Sequence, residues 1–231
     1  MSAQTVLITG AAGHLGQAVA AVFRERGARL VLVNRHVESL QETYGKDSDT
    51  LLLPLDLTDR GRVLADVPAA IARFGAIDVL CHVAGGFRMG EAVHETSPAT
   101  WDFLMDLNAR TLLNIAAAVV PAMRERRSGR IVTVGAGAAA RGGAHMGAYS
   151  ASKSALIRLT EAMSAELKDE GINVNCVLPS IIDTPDNRAV MPKADPARWV
   201  APQALAEVIA FLASDAARAI HGAAIPVAGL V

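Results

Sequence analysis

The sequence predicts an α/β fold: one domain over residues 1–231, with a parallel sheet covered by helices on both faces. Three observations carry this expectation. Short apolar runs alternate with segments of helical periodicity along the whole chain. Hydrophobic residues make up 52% of the 231 residues while aromatics make up only 4%, so the core must be built from Ala, Val, Leu and Ile, the residues of strands buried on both sides. No internal repeat, low-complexity segment or linker divides the chain, and its length suits one such domain with a sizeable core.

The first strand is Thr5–Thr9 (TVLIT), ending at glycines. A helix follows from about His14 to Arg26, stopped by Gly27. Arg29–Asn34 (RLVLVN) is the second strand, and a mixed segment leads to the third, Thr50–Asp56 (TLLLPLD). Arg60–Phe74 reads as helix and Ile77–Gly85 (IDVLCHVAG) as the fourth strand. A long helix spans about Pro98–Arg126, and Pro121, lacking an N–H, is expected to kink it or split off its end. Gly129–Gly135 is the fifth strand, Ala148–Glu170 a helix closed by Gly171, and Ile172–Pro179 the sixth strand. Ser180–Trp199 is irregular and holds Pro185, Pro192 and Pro196. The chain closes with a helix at Ala204–Ser214 and a short strand within GAAIPVAG.

Composition excludes several classes. The formal net charge is −1, without the basic excess that a nucleic-acid partner requires. The short run Arg124–Arg127 reads as a solvated helix end, where cations meet the negative end of the helix dipole. Two cysteines, Cys81 and Cys176, are too few for a disulfide framework or a zinc cluster, and no other metal site is read. Both fall in apolar runs and read as buried free thiols of a reducing compartment. No basic segment followed by a long apolar core opens the chain, and no apolar run approaches the ~18 residues of a membrane span. A cytoplasmic protein without membrane partner is expected.

The turn after the first strand carries the first functional signal. Gly10, Gly13 and Gly16 stand in Thr9-Gly10-Ala11-Ala12-Gly13-His14-Leu15-Gly16, between a strand and a helix. There, glycines let the backbone turn tightly and approach a pyrophosphate, and the helix N-terminus offers free N–H groups. This predicts dinucleotide binding by Gly10, Gly13, His14, Leu15 and Gly16. At the end of the second strand a carboxylate would bind the ribose hydroxyls of NAD(H). Asn34 and Arg35 stand there instead. Asn34 carries no charge to repel a 2′-phosphate and Arg35 can pair with one, which favours NADP(H) over NAD(H). Asp56 can accept from the adenine amino group.

With these come Asp56-Leu57, Val83-Ala84-Gly85-Gly86, Asn108 within DLNARTLLN, Tyr149-x-x-x-Lys153, and PSIIDT from Pro179 to Thr184. Together, in this order, they resemble the short-chain dehydrogenase/reductase family over essentially the whole chain. The resemblance implies a Rossmann-like doubly wound sheet of order 3-2-1-4-5-6-7, hydride transfer to or from a nicotinamide, and a homodimer or homotetramer built on two long helices. In that order the strands of Cys81 and Cys176 are separated by another, so the two should not be bridged. Tyr149 would be the general acid in reduction. Lys153, with the positive nicotinamide of the oxidised cofactor, would lower the tyrosine pKa from about 10 and hold the nicotinamide ribose. Asn108 would support a water that relays protons to Lys153. Ala84 and Gly85 would line the cofactor, and Pro179, Ile182 and Thr184 would hold its carboxamide end.

Four departures from the family pattern stand out. His14 occupies the usual middle-glycine position and Gly13 precedes it. The usual Asn-Asn-Ala-Gly is His82-Val83-Ala84-Gly85. Ser180 replaces the glycine after Pro179. Thirteen residues before Tyr149, where the family has a catalytic serine, stands Ala136. Loss of that donor leaves three readings: a site without activity, leaving an NADP(H)-binding sensor; a substitute such as Arg141 or His145; or a substrate that does not need the donor. The last resembles the quinonoid dihydropteridine reductases, which keep the Tyr/Lys pair with alanine here, and to which LCHVAGG, GAGAAARGGAHMGAY and VLPSIIDTPDNRAVMPKADPARW are similar. The expected function is therefore NAD(P)H-dependent reduction of an activated C=O, C=N or quinonoid small molecule. An ordinary ketone reductase or alcohol dehydrogenase is the alternative. Residues 180–202 are expected to form a lid, with Phe87, Met146, Met191 and Trp199 as candidate pocket walls.

Overall fold

A computed structural model describes residues 3–45 and 48–231. Seven parallel strands form one sheet: β1 (Thr5–Thr9), β2 (Arg29–Asn34), β3 (Thr50–Pro54), β4 (Val79–His82), β5 (Gly129–Val134), β6 (Ile172–Pro179) and β7 (Ala224–Val227). Their order is β3-β2-β1-β4-β5-β6-β7, as the family resemblance implies. The strands place alternate side chains on opposite faces. Val6, Ile8, Leu30, Leu32, Val79 and Cys81 face one way, into a core shared with helices α1 (His14–Glu25) and α8 (Pro202–Leu212). Leu7, Val31, Val33, Leu80 and Ile131 face the other way, against α3 (Arg60–Phe74) and α5 (Thr111–Arg126). The remaining helices are α2 (Val37–Tyr44), α4 (Pro98–Met105), α6 (Gly147–Leu167) and α7 (Pro185–Val190).

Several boundaries differ from expectation for identifiable reasons. The mixed segment after β2 contains α2, an eight-residue helix burying only Leu40, too short to show a clear apolar stripe. β3 ends at Pro54, just before the Leu55 N–H makes the last bond to β2 by donating to the Asn34 carbonyl at 2.9 Å. β4 stops at His82 because its neighbour β1 turns away at Gly10, whose φ is +66°. The long helix is interrupted by a π-turn, Asp106–Arg110, between α4 and α5, while α5 continues through Pro121 to Arg126 without being divided there. Taken together, Pro98–Arg126 is 29 residues long and apolar enough in one stretch to match a membrane span by length and composition, but over half of that stretch is buried in the fold. The segment expected to be irregular contains α7 and a 3₁₀ turn at Pro196–Arg198.

The arginine run is not simply solvated. Arg124 forms a bidentate pair with Glu170 at 2.6 and 2.8 Å, and Arg127 donates to the Asp169 carbonyl. These contacts tie the end of α5 to the turn after α6. Cys81 and Cys176 are both free and buried, on β4 and β6 with β5 between them.

Candidate active site

The site residues gather at the C-terminal ends of the central strands, around the point where strand order reverses between β1 and β4, which is where open α/β sheets bind ligands. The turn after β1 shows why each glycine is present. A Cβ on Gly10 would lie 2.9 Å from the Ala84 backbone, and one on Gly16 would lie 2.2 Å from the Gly10 carbonyl oxygen. Both are required by the fold itself. Gly13 differs: it is exposed, its φ is −74°, and a Cβ there would meet only the Gly10 oxygen, at 3.4 Å. Its lack of a side chain is not explained by packing within the chain, and it is the N-cap of α1, which has no side-chain cap. Free N–H groups of the first turn therefore face an open cradle suited to a phosphate.

This separation gives a paired prediction. Gly13→Ala should fold normally and weaken dinucleotide binding at least tenfold in calorimetry, whereas Gly16→Ala should lower the melting temperature or abolish folding by overpacking. Unchanged affinity in a folded Gly13→Ala protein would remove Gly13 from the cradle.

The turn is pinned from two sides that sequence reasoning did not identify. The Tyr44 hydroxyl, at the end of α2, donates to the Ala11 carbonyl at 2.6 Å, and Gln17 donates to the Ala12 carbonyl at 2.8 Å. Burial, only partly opposed by Arg24, pushes Tyr44 up to about 12, so it stays a donor. At the end of β2, Asn34 is half-buried and Arg35 exposed, its Nε 3.3 Å from His36 Nε2. Across from them, Asp56 Oδ1 accepts from the Thr58 N–H and hydroxyl at 2.9 and 2.7 Å. Partial burial opposes its ionisation, but those bonds and the charges of Arg35 and His36 outweigh it and hold the carboxyl below its usual range. Leu57 is buried, and its carbonyl accepts from Asn114.

Asn108, Lys153 and Gly85 converge. A Cβ on Gly85 would lie 2.9 Å from both Asn108 Oδ1 and Lys153 Nζ, so the glycine makes room for the amide and the ammonium. Asn108 is fully buried in the π-turn, a distortion frequent at functional sites. Its side chain accepts from the Gly86 N–H at 2.9 Å and donates to the Gly86 carbonyl and to Ser152 Oγ, each at 3.0 Å. Ser152 in turn donates to the Tyr149 carbonyl at 2.8 Å. The Asn108 amide thus holds the loop after β4 to the helix that carries Tyr149.

Lys153 is buried and donates to the Val134 carbonyl at 2.9 Å. Desolvation lowers its pKa to about 8. Tyr149 moves opposite to the expected direction in the protein alone: burial pushes it up to about 12. Its ring meets Phe87 edge-on, with centroids 4.8 Å apart, and Phe87 is itself more than half exposed, at the mouth of the site.

Ala136 is buried at the end of β5, two residues beyond the carbonyl that anchors Lys153. Two nearby hydroxyls are committed elsewhere: Ser154 donates to the Ala139 carbonyl and Thr133 bonds Thr160. Ser150 Oγ is buried without a hydrogen-bond partner. Arg141 and His145 both lie in an exposed loop. His145 has a left-handed φ of +60°, and its carbonyl is held by the Gly90 N–H.

The segment after β6 is closed at its feet. The Ile181 carbonyl and Asp183 N–H both bond Val200, making a parallel bridge between Ile182 and Val200. Between these feet, Thr184 caps α7 by accepting from the Asn187 N–H, and Asn187 Nδ2 donates to the Ile182 carbonyl. Asp183 and Arg188 form a bidentate pair. Ser180, the departure after the buried Pro179, donates to the Ala228 carbonyl at 2.6 Å, and Arg198 bonds Leu230 in both directions. Met146 and Met191 are half-buried, and Trp199 is buried.

A doubly wound sheet, a glycine turn without a side-chain cap at its switch point, and a buried Lys153 one helical turn from a half-buried Tyr149 together define a dinucleotide-dependent oxidoreductase. The short chain dehydrogenase profile matches residues 4–195. The chain belongs to that family. It is 31% identical over 241 aligned positions to the 3-oxoacyl-(acyl-carrier-protein) reductase FabG of Thermotoga maritima, covering 99% of this chain and 98% of that one. The fold is similar to that of levodione reductase, with a TM-score of 0.89 at 29% identity over 98% of this chain and 96% of that one. It is also similar to 3-ketoacyl-(acyl-carrier-protein) reductase from Brucella melitensis complexed with NADH, with a TM-score of 0.88 at 28% identity over 98% and 97% of the two chains. As a family member, the protein is an NAD(P)(H)-dependent oxidoreductase of small molecules.

Proposed function

We propose that this enzyme reduces activated small molecules (quinonoid, C=N or electron-poor C=O compounds), with NADPH preferred, through Tyr149, Lys153 and Asn108 and without a hydroxyl donor at position 136. The observation that carries the substrate class is Ala136, together with the commitment or burial of the neighbouring hydroxyls. A dinucleotide, when bound, supplies the hydride. The protein's own residues do the rest. Gly13 and the first turn of α1 receive the phosphates, Asp56 accepts from the adenine end, and Ile182 and Thr184 hold the carboxamide end. Lys153 orients the ribose next to Tyr149. The Tyr149 hydroxyl, kept protonated by burial, gives its proton to the reduced substrate atom. Asn108 fixes the loop at Gly86 and the helix at Ser152, and so sets where Tyr149 stands. Residues 180–202, hinged where Ile182 meets Val200, act as a lid, and Phe87 forms the wall against Tyr149.

A ketone needs a donor beyond Tyr149 to stabilise the developing oxyanion. Loss of one such donor costs about 2.7–4 kcal/mol of barrier. A quinonoid or iminium acceptor is already electrophilic and loses less. The test is turnover of quinonoid dihydropterin, simple quinones and unactivated ketones under matched conditions. Quinonoid or quinone turnover well above ketone turnover is expected. Equal turnover on ketones would return the enzyme to the ordinary carbonyl reductases.

The NADPH preference rests on Arg35 and uncharged Asn34. Arg35→Ala should weaken NADPH at least tenfold and NADH less than twofold in fluorescence titration. Equal weakening would remove Arg35 from the 2′-phosphate. A homodimer or homotetramer is supported by the exposed Trp101 and Leu113 on α4 and α5, and a reducing, cytoplasmic setting by the two buried free thiols.

A further inference from the structure

Thr9, His82 and Thr111 form one buried hydrogen-bonded chain among β1, β4 and α5. His82 Nδ1 lies 3.0 Å from Thr9 Oγ1, and Nε2 lies 3.3 Å from Thr111 Oγ1. All three residues are at most 1% exposed. The outer bonds determine the direction of the inner ones. Thr111 Oγ1 donates to the Leu107 carbonyl at 2.8 Å, so it must accept from His82. Thr9 Oγ1 accepts from the Ala84 N–H at 3.1 Å, so its own proton is free for His82. The imidazole therefore carries its single proton on Nε2, and every member of the chain is satisfied. Burial, with the nearby Lys153 charge, lowers its pKa to about 3, consistent with a ring that stays neutral.

The chain joins two parts of the site. Thr9 directly precedes Gly10 of the dinucleotide turn, and Ala84 directly precedes Gly85. Leu107, in the π-turn, and Thr111, just after it, flank Asn108, Ala109 and Arg110. We propose that His82, as its Nε2–H tautomer, is a positioning residue that fixes the dinucleotide turn relative to the turn carrying Asn108. This rests on the site assignment under Proposed function, and Tyr149→Phe assayed in parallel distinguishes the two: if that variant keeps full turnover, the site assignment itself has failed.

The two arms are separable. In His82→Asn the side chain reaches Thr9 and not Thr111, and in His82→Gln the reverse. The Asn variant should keep dinucleotide Kd within twofold while kcat falls at least tenfold. The Gln variant should raise dinucleotide Kd at least fivefold, with a smaller loss in kcat. Thr111→Val, which keeps the shape, should reproduce the Asn pattern. Nitrogen NMR of the wild-type protein should show one imidazole with Nε2 protonated and Nδ1 unprotonated throughout pH 5–8, and this signal should disappear in His82→Asn. Variants that change only melting temperature, leaving kcat and Kd within twofold, would reduce His82 to a packing residue. A proton found on Nδ1, or a ring that titrates near pH 6.5, would overturn the proposal even if no variant folds.

Discussion

Tyr149→Phe is expected to lower kcat by about 10²–10⁴-fold, the usual contribution of a positioned general acid, while dinucleotide affinity stays within about twofold. The ring, its edge contact with Phe87 and the helix remain, and only the proton donor is lost. The pH profile of the wild-type enzyme separates Tyr149 from Lys153. Burial holds Tyr149 up to about 12, so it remains protonated across the assay range. Lys153, lowered to about 8 by desolvation, loses its charge much earlier. In the reducing direction, kcat/KM for the dinucleotide, which reports the free enzyme, should fall above about pH 8. A profile flat to pH 10 would contradict the burial of a charged Lys153 as the controlling group. Full activity in Tyr149→Phe would remove the proton donor from the account.

The same burial has a stability consequence of definite sign. His82 is charged in the unfolded chain below its ordinary value of about 6.5 but neutral in the fold down to about 3. The unfolded state therefore binds the extra proton between those limits. Stability from this group is fully present above about pH 6.5 and is lost as pH falls towards 3.

The strands and their types were legible because apolar runs of four to eight residues between turn signals have few other readings. Strand order was not legible from periodicity and came from the family resemblance. The π-turn was invisible because one extra residue per turn leaves a long apolar helix looking continuous. The cysteine separation followed from strand order and is found in the structure. Gly10 and Gly16 were visible as a motif, but only the geometry separates them, required by the backbone, from Gly13, where a Cβ would make no closer contact than 3.4 Å. His82 was visible only as a departure from a pattern. Its partner Thr9 lies 73 residues away, a distance no local pattern spans. Tyr44 was missed for the same reason: it reaches Ala11 from a helix whose own pattern was weak. Ser180 likewise gained a partner, Ala228, only when the chain's last strand closed the sheet.

The substrate class turns on position 136. In the proposed geometry alanine there leaves the oxyanion to Tyr149, because Ser152, Ser154 and Thr133 already bond within the protein and the unpartnered Ser150 Oγ is buried. Restoring a hydroxyl supplies a donor where charge develops on a ketone oxygen, and such a donor is worth about 10²–10³-fold in rate. A quinonoid acceptor spreads that charge over its conjugated system and gains little from it. Ala136→Ser should leave dinucleotide affinity unchanged, since the residue lies on the substrate side in the family pattern. The most direct measurement is kcat/KM for an unactivated ketone and for a quinonoid acceptor, in wild type and in Ala136→Ser. The account predicts that the ketone value rises by about 10²-fold while the quinonoid value changes by less than about threefold. An equal change in both would contradict it.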